Sequence, residues 1–418
     1  MDTFKIAAIV TSYPPLSHAS AIVTKFIRGF PTDEGLISPR TKIVSIYIDQ
    51  IHKNDIGHQI AYMHDITVYE SIRAAMTLGT ENLQVDAVLI IGEHGDYPKN
   101  GLGQEMLPRK YFFEQVVGVM NESDRIVPVF SDKHLSYNWQ DAAWIYETAR
   151  DMGIPFWAGS AIPVSWRNPN FEHLLNEPLD DSLVLGFHML ERYGFHAIEG
   201  LQCQVERRPG GETGVKSVRC LSGYQVWESE KSGLWSKDLG NHAISALLEG
   251  PANLDPSQID NPHVFLIEYS DGLRGSVLML GDSGLISSFA YAECLDDKVN
   301  SFEYTLGNHS STPVFGYLGL NIEDFFLTSS PPSPLERTYL TTGILEAAML
   351  SNNRSGEIVK TPYLDISYVP FEKSVRRPEG VLPSGASTDS LILPDPGKSY
   401  ASVSVPISND GTVRNEQH

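Results

Sequence analysis

Two short stretches carry ionisable residues where apolar runs end. The run "RIVPVF" stops abruptly at Asp132, Lys133 and His134 before the chain opens towards a helix-like segment. The run "VDAVLIIG" stops at Glu93 and His94, with Asp96 two residues further on. A buried strand that surfaces into any loop looks like this, and so does a functional site at the crest of a sheet. A lysine near a hydroxyl or ketone can hold or transfer a proton when burial lowers its pKa towards neutrality, and a neighbouring histidine can take a hydroxyl proton. The same pair can abstract a proton beside a ketone. Histidines with carboxylates can instead ligate a divalent metal, although no HExxH-like spacing supports that here.

Positioning such residues requires strands that end together. The first 160 or so residues alternate strand-like and helix-like segments. "FKIAAIVTS" reads as a buried strand. "SHASAIVTKFIRGF" has helical spacing with Ser17 as N-cap. "TKIVSIYID" is a second strand, "VYESIRAAMTLG" a short helix ended by Gly79, "VDAVLIIG" a strand and "RKYFFEQVVGVMNES" a helix. "RIVPVF", the helix "SYNWQDAAWIYETARDMG" and the strand "IPFWAGS" follow. Parallel strands need crossover helices, so this alternation implies a doubly wound parallel sheet, with ligands at the carboxyl ends of its strands.

After Trp166 the pattern changes. "VERRPGGETGVKSVRCLSGYQVW", "HVFLIEYSDGLRGSVLML" and "ISSFAYAEC" read as long strands of a mostly antiparallel sheet, with a turn at Ser270-Asp271-Gly272. One late helix, "ERTYLTTGILEAAMLSNN", is expected. Trp227, Trp235, Tyr291, Tyr304, Phe315 and Tyr317 read as core, with stacking on a sugar ring as the second reading. The expected division is 1–166, 167–371 for an α+β unit, and 372–418 for an irregular tail rich in Ser, Pro and Gly.

Composition narrows the partners. The formal charge is −21 over 418 residues, and such an acidic surface repels phosphate backbones and anionic membranes. Nucleic acid is therefore not expected. No stretch approaches the ~20 apolar residues that span a bilayer, and the N-terminal apolar run is too short for a signal peptide. Three cysteines, Cys203, Cys220 and Cys294, are an odd number without metal-ligand spacing, which fits a reducing compartment. A soluble, cytoplasmic protein is expected.

The strand ending in "SDKHLS", the helix "YNWQDAAWIYETARDMGIPFWAG", then "WRNP" and an antiparallel sheet together resemble the Gfo/Idh/MocA oxidoreductases. "LERYGFHAIEGLQ" and "RTYLTTGILEAAMLSNNRSGEIVKTP" resemble that family's second-domain opening and last helix. The resemblance covers about residues 4–370. It implies a Rossmann-like first domain, an oxidoreductase of sugars, sugar derivatives or polyols, a nicotinamide cofactor (NAD or NADP), and a homo-oligomer formed through the large sheet. In the family the corresponding strand ends in Glu-Lys-Pro, and its lysine lies at the sugar and nicotinamide site. Lys133 falls on that lysine, and His196 falls on the family's catalytic histidine. His134 stands where the family has proline, and Arg192 stands four residues before His196, where the family has an aspartate.

The largest departure is the turn after the first strand. The family's Gly-x-Gly-x-x-Gly lets the backbone approach the pyrophosphate. If His18 takes the place of the histidine after that fingerprint, Val10, Ser12 and Pro15 hold the glycine positions. Prolines at 14 and 15 remove donors, so nicotinamide binding is expected to be weak or atypical. Lys133, His196 and His94 are the expected catalytic residues. His134, Asp96, Arg109 and Glu199 are expected to bind substrate. Ser12, His18, Asp49 and Glu93 are expected at the cofactor, with Asp49 on a ribose hydroxyl. Asp132 is expected to cap the next helix or to orient the lysine. The insert "YPKNGLGQEMLPRKYFF", with Gly101, Gly103 and Arg109, reads as a lid, an anchor for a substrate carboxylate, or an ordinary long loop. The alternative to redox chemistry is a lyase, hydratase or hydrolase on a (keto)sugar, with a divalent metal as its possible cofactor. A sensing protein without chemistry is the third reading.

Overall fold

The structure is a computed structural model, and it describes residues 3–33, 35–306, 314–372 and 375–379. The first part of the chain runs β1 (Phe4–Val10), α1 (His18–Arg28), β2 (Phe30–Thr32), β3 (Gly35–Ile37), β4 (Thr41–Ile48), α2 (Gly57–Met63) and β5 (Thr67–Tyr69). It continues through α3 (Ile72–Thr77), β6 (Ala87–Ile91), α4 (Arg109–Glu122), β7 (Val129–Asp132), α5 (Trp139–Asp151) and β8 (Phe156–Gly159). Six of these strands form one sheet in the order β5-β4-β1-β6-β7-β8, with every pair parallel. β6 is buried along its whole length, and β1 from Ile6 onwards, as expected of strands covered by helices on both faces. The doubly wound parallel sheet read from the sequence is therefore present.

The second part holds β9 (Trp166–Asn168), β10 (Asp181–Gly186), α6 (Arg192–Val205), β11 (Glu212–Thr213), β12 (Val215–Ser222), α7 (Tyr224–Lys231) and α8 (Lys237–Leu247). β13 (His263–Tyr269), β14 (Arg274–Met279), β15 (Phe289–Leu295), β16 (Lys298–Thr305), α9 (Val314–Thr328), α10 (Leu335–Asn353), β17 (Val359–Lys360) and β18 (Ser367–Tyr368) follow. Eight strands form a second sheet in the order β17-β12-β13-β14-β10-β15-β16-β9. Only its β10–β14 pair is parallel, so the mostly antiparallel sheet is present as well. β13 and β14 form the hairpin expected at Ser270-Asp271-Gly272.

Several details differ from the sequence reading, among them the short strands β2, β3 and β5 and the helix α2. "YQVW" opens α7 rather than extending a strand, because Gly223 breaks the chain at φ +58° after β12. Helices α8 and α9 were not expected. Helix α9 brings Tyr317, Leu318 and Phe325 back onto the first sheet's core, beside Phe26 and Phe30. Among the aromatics read as core, Trp235, Tyr291, Tyr304 and Tyr317 are buried, whereas Phe315 faces the cavity described below. From residue 380 the expected irregular tail lies outside the described residues.

Candidate active site

The site is built where β6 and β7 end side by side. The apolar run of β6 stops at Ile91, and Glu93 stands two residues beyond, only 1% exposed. Its backbone carbonyl accepts from the Thr11 hydroxyl at 2.9 Å, which ties it to the turn after β1. Its carboxylate collects cations. Oε2 accepts from Arg109 Nη2 at 2.5 Å, and Oε1 lies 2.9 Å from Lys133 Nζ and 3.8 Å from Arg192 Nε. Burial works against the charged form of Glu93. The Lys133 and Arg109 cations outweigh it and hold the carboxyl well below the usual carboxylate range. Lys133 is just past the end of β7, at φ +21°, with its N–H donating to the Gly159 carbonyl at 2.9 Å. Its ammonium is thus paired within the site and 2% exposed.

Above this cluster lies a cavity of about 360 Å³. The crest of the first sheet contributes His18, Glu93, His94 and Lys133. Helix α6 contributes Arg192, Tyr193 and His196, and Phe289 and Phe315 close it with apolar surface. Arg192 and His196 are four residues apart on α6, so they share one helix face. The His18 ring centroid stands 5.3 Å from that of His94 and 6.5 Å from that of His196. Burial pushes His94 down to about 4. Burial, reinforced by the nearby Lys133 charge, pushes His196 well below its ordinary value. Both imidazoles are therefore neutral at pH 7. His18 Nδ1 donates to the fully buried carboxylate of Asp132 at 2.6 Å.

Lys133, His196, His94, His18 and Glu93 therefore meet around one cavity. The other expected site residues do not. His134 is buried beneath the crest, where its Nε2 accepts from Arg109 Nη1 at 3.2 Å and its ring packs 5.3 Å from Phe195. Arg109 is 1% exposed and braces Glu93 from below. Glu199 points to the end of β8, where it accepts from the Ser160 amide at 3.1 Å. Asp96 is held through its backbone by Gln50, at 2.7 and 3.2 Å. Asp132 does not cap α5, because Asn138 does, accepting from the Asp141 amide at 2.8 Å. The insert before α4 docks on α6 through Glu105, whose amide donates to Glu191 at 2.8 Å and whose carboxylate pairs with Arg192. Tyr193 and Phe289 line the cavity although the sequence reading did not single them out. Adjacency to His196 on α6 was the available signal for Tyr193; none existed for Phe289. Among the described residues, no group of three or more His, Cys, Asp or Glu side chains is arranged to hold a metal ion.

At the other end of the crest, a dinucleotide would meet a closed surface. Ser12 is 2% exposed and Tyr13 is fully buried, with its hydroxyl on Thr24 at 2.9 Å. The turn's carbonyls are taken by the segment after β4. Gln50 N donates to Thr11 O at 2.8 Å, and Ile56 N to Tyr13 O at 3.0 Å. Both carboxylate oxygens of Asp49 accept from tyrosine hydroxyls, Tyr47 at 2.8 Å and Tyr97 at 2.7 Å. At the α1 N-terminus, the His18 amide points to His94 Nδ1 at 3.5 Å. These residues do not fit a dinucleotide held in the Gfo/Idh/MocA manner, whose backbone donors and ribose acceptor must be open to the ligand.

No protein-family model matches the sequence, and no curated protein matches it either. Solved structures do match its fold. GenD2 from gentamicin A biosynthesis, in complex with NAD, superposes with a TM-score of 0.55 at 12% identity, over 86% of this chain and 97% of its own. Apo scyllo-inositol dehydrogenase from Lactobacillus casei gives 0.54 at 9% identity, over 86% and 98%. Myo-inositol dehydrogenase from Lactobacillus casei, in complex with NAD(H) and myo-inositol, gives 0.51 at 10% identity, over 86% and 97%. The chain thus has the fold of the inositol dehydrogenases, which is the fold implied by its sequence resemblance to the Gfo/Idh/MocA oxidoreductases.

Proposed function

We propose that this chain is an enzyme acting on a sugar, sugar derivative or polyol at a carbon bearing a hydroxyl or carbonyl oxygen, as an oxidoreductase of the Gfo/Idh/MocA type. One observation carries the reading. The buried Glu93–Lys133 pair opens onto a cavity of about 360 Å³ beside neutral His196 and His94. A cavity of that size holds one small molecule. The Lys133 ammonium stabilises an oxygen that gains negative charge, and a neutral imidazole accepts a proton. Tyr193 and Phe289 offer apolar surface to a ring. The fold shared with dehydrogenases that bind NAD and myo-inositol supports the same class of substrate and a nicotinamide, NAD or NADP, as hydride carrier. Such a carrier needs a binding mode other than the family's, because Thr11–Tyr13 at the start of the turn are packed shut and Pro14 and Pro15 offer no amide donor.

That packing is also the specific observation favouring a second reading, a lyase or hydratase on a ketosugar that needs no hydride carrier. Both readings use the same proton transfers. Titration calorimetry with NAD(H) and NADP(H) separates them. Measurable binding of either, together with turnover of a polyol, supports the oxidoreductase. No binding of either nucleotide, together with loss of water from a ketosugar, supports the lyase. Tight binding with the phosphates seated on Ser12–Ser17 would show the closed cradle to be misread.

A further inference from the structure

We infer that His18, oriented by Asp132, is the general base of this site, with Lys133 facing it across the substrate as the cation that receives the developing oxyanion. The inference deepens the function proposed above and rests on it. It gives His18 and Asp132 roles that neither the family resemblance nor the sequence assigns, since these suggest a cofactor contact and a helix cap or lysine-orienting group.

The geometry is that of an imidazole with a carboxylate behind it. Asp132 is the last residue of β7 and fully buried, and His18 is the first residue of α1. Their contact at 2.6 Å puts the proton of the neutral ring on Nδ1, because an ionised carboxylate only accepts. The lone pair is then on Nε2, and among the described residues nothing hydrogen-bonds to that atom. His18 lines the cavity. Consecutive residues thus serve opposite purposes: Asp132 turns to His18, while Lys133 turns to Glu93. The end of one strand loads a single cavity with a base and a cation.

Two other histidines share the cavity, and the surroundings distinguish them. The groups facing His18 are Asp132 from β7, Glu93 and His94 from the loop after β6, Lys133, His196 from α6 and the ring edge of Phe315 from α9. His196 Nδ1 is buried without a partner. The hydrogen bond of His94 is to the amide of His18 itself. Glu93 acts on both only through space, and among the described residues neither ring has a carboxylate hydrogen-bonded to it. His18 does, and it needs one, because a cation in the first turn of a helix is opposed by the helix dipole. Asp132 offsets that opposition and fixes the tautomer, the role such a carboxylate plays behind a catalytic histidine.

The step is a proton transfer. His18 Nε2 takes the proton of a substrate hydroxyl as the O–H bond breaks. The electron pair stays on oxygen, and the alkoxide faces the Lys133 ammonium. The proton returns from Nε2 when the reaction reverses. Asp132 holds the Nδ1 side of the ring throughout and acts as a positioning residue.

The test uses the full-length protein and its variants His18→Gln and Asp132→Asn. Turnover is followed by proton NMR on a panel of hexoses, ketoses, inositols and sugar acids, with NAD and NADP present. Imidazole nitrogen NMR reads the His18 tautomer. The expected results are an Nδ1–H tautomer in the wild type and a loss of ~10²–10⁴-fold in kcat for His18→Gln at unchanged melting temperature. Asp132→Asn should lower kcat and move the acidic limb of the kcat/KM profile, a readout that a purely structural carboxylate would leave in place. If His18→Gln melts early, Asp132→Asn, which keeps the imidazole, carries the test through that limb. An Nε2–H tautomer in the wild type, or turnover that survives His18→Gln, overturns the base assignment alone. A wild type that turns over no member of the panel overturns the sugar-active reading, and the base assignment falls with it.

Discussion

The two ends of the first sheet's crest are made of similar residues and organised in opposite ways. At the β6–β7 end, Glu93, Lys133 and Arg109 are buried and paired with one another, and three histidines stand around open volume. At the β1–β4 end, Asp49 is held by Tyr47 and Tyr97, the Gln50 side chain by the Asp96 backbone, and the carbonyls of Thr11 and Tyr13 by the amides of Gln50 and Ile56. Polar groups that satisfy one another close a surface, because opening it leaves each of them to be rehydrated. Charges arranged around empty space keep a site in waiting. A shared fold need not carry a shared cofactor site. On this sheet the half at β6 and β7 lines an open cavity, and the half at Thr11–Tyr13 and Asp49 is packed.

The comparison breaks most directly at Glu93. In Glu93→Gln, Lys133 and Arg109 lose the carboxylate that neutralises them inside the protein, and removing one partner of a buried pair costs ~3–5 kcal/mol. Urea unfolding should show that loss, and turnover should vanish with it. Lys133→Met should cost less stability, because Arg109 still bonds Glu93, while turnover falls ~10²–10⁴-fold. Equal destabilisation in the two variants would mean that Arg109 does not hold Glu93 by itself.

The next effect is in the pH dependence of the open end. Burial lowers His94 from 6.5 to about 4, and pushes His134 and His196 down as well. Between those values the unfolded chain binds protons that the folded chain refuses, so stability rises with pH across the window. It should be complete above pH 6.5 and fall progressively as pH drops towards 4. Urea midpoints measured at pH 7, 6 and 5 give the slope, and His94→Gln should flatten it. A midpoint that does not move over that range would show these rings to be solvated.

The smallest effect is expected at the closed end. Tyr97→Phe removes one of the two hydroxyls on Asp49 and should cost ~1 kcal/mol, leaving kcat unchanged. Calorimetry on the same variant sharpens the contrast. If it gains NAD(H) affinity that the wild type lacks, the Tyr97–Asp49 contact is what shuts the cradle; if it gains none, the buried turn alone is sufficient.

Much of the fold and part of the site are legible in the amino-acid sequence. The alternation that makes a parallel sheet, the Ser17 cap of α1 and the hairpin at Ser270-Asp271-Gly272 are local patterns, and local patterns are written in neighbouring residues. Lys133, Glu93 and His94 announce themselves as ionisable residues at the ends of apolar runs. The absence of glycine and the two prolines in the turn after β1 are equally plain, because proline and bulky side chains act where they stand.

Other features depend on which elements meet. Helix α9 returns to the first sheet from more than 280 residues beyond α1 in sequence, and no periodicity tells a helix which sheet will take its apolar face. His134 and Lys133 are adjacent, and only packing makes one sink against Arg109 and Phe195 while the other reaches the cavity edge. Asp132 and His18 are 114 positions apart, and their contact exists because β7 and the start of α1 end at one crest. Residue order along the chain set the kinds of element and the charges at their ends, since backbone preference and residue type act over a few residues. The packing of those elements set which charges became partners and which were left facing open space, since hydrogen bonds and ion pairs act over a few ångströms, and distance in space is a property of the fold.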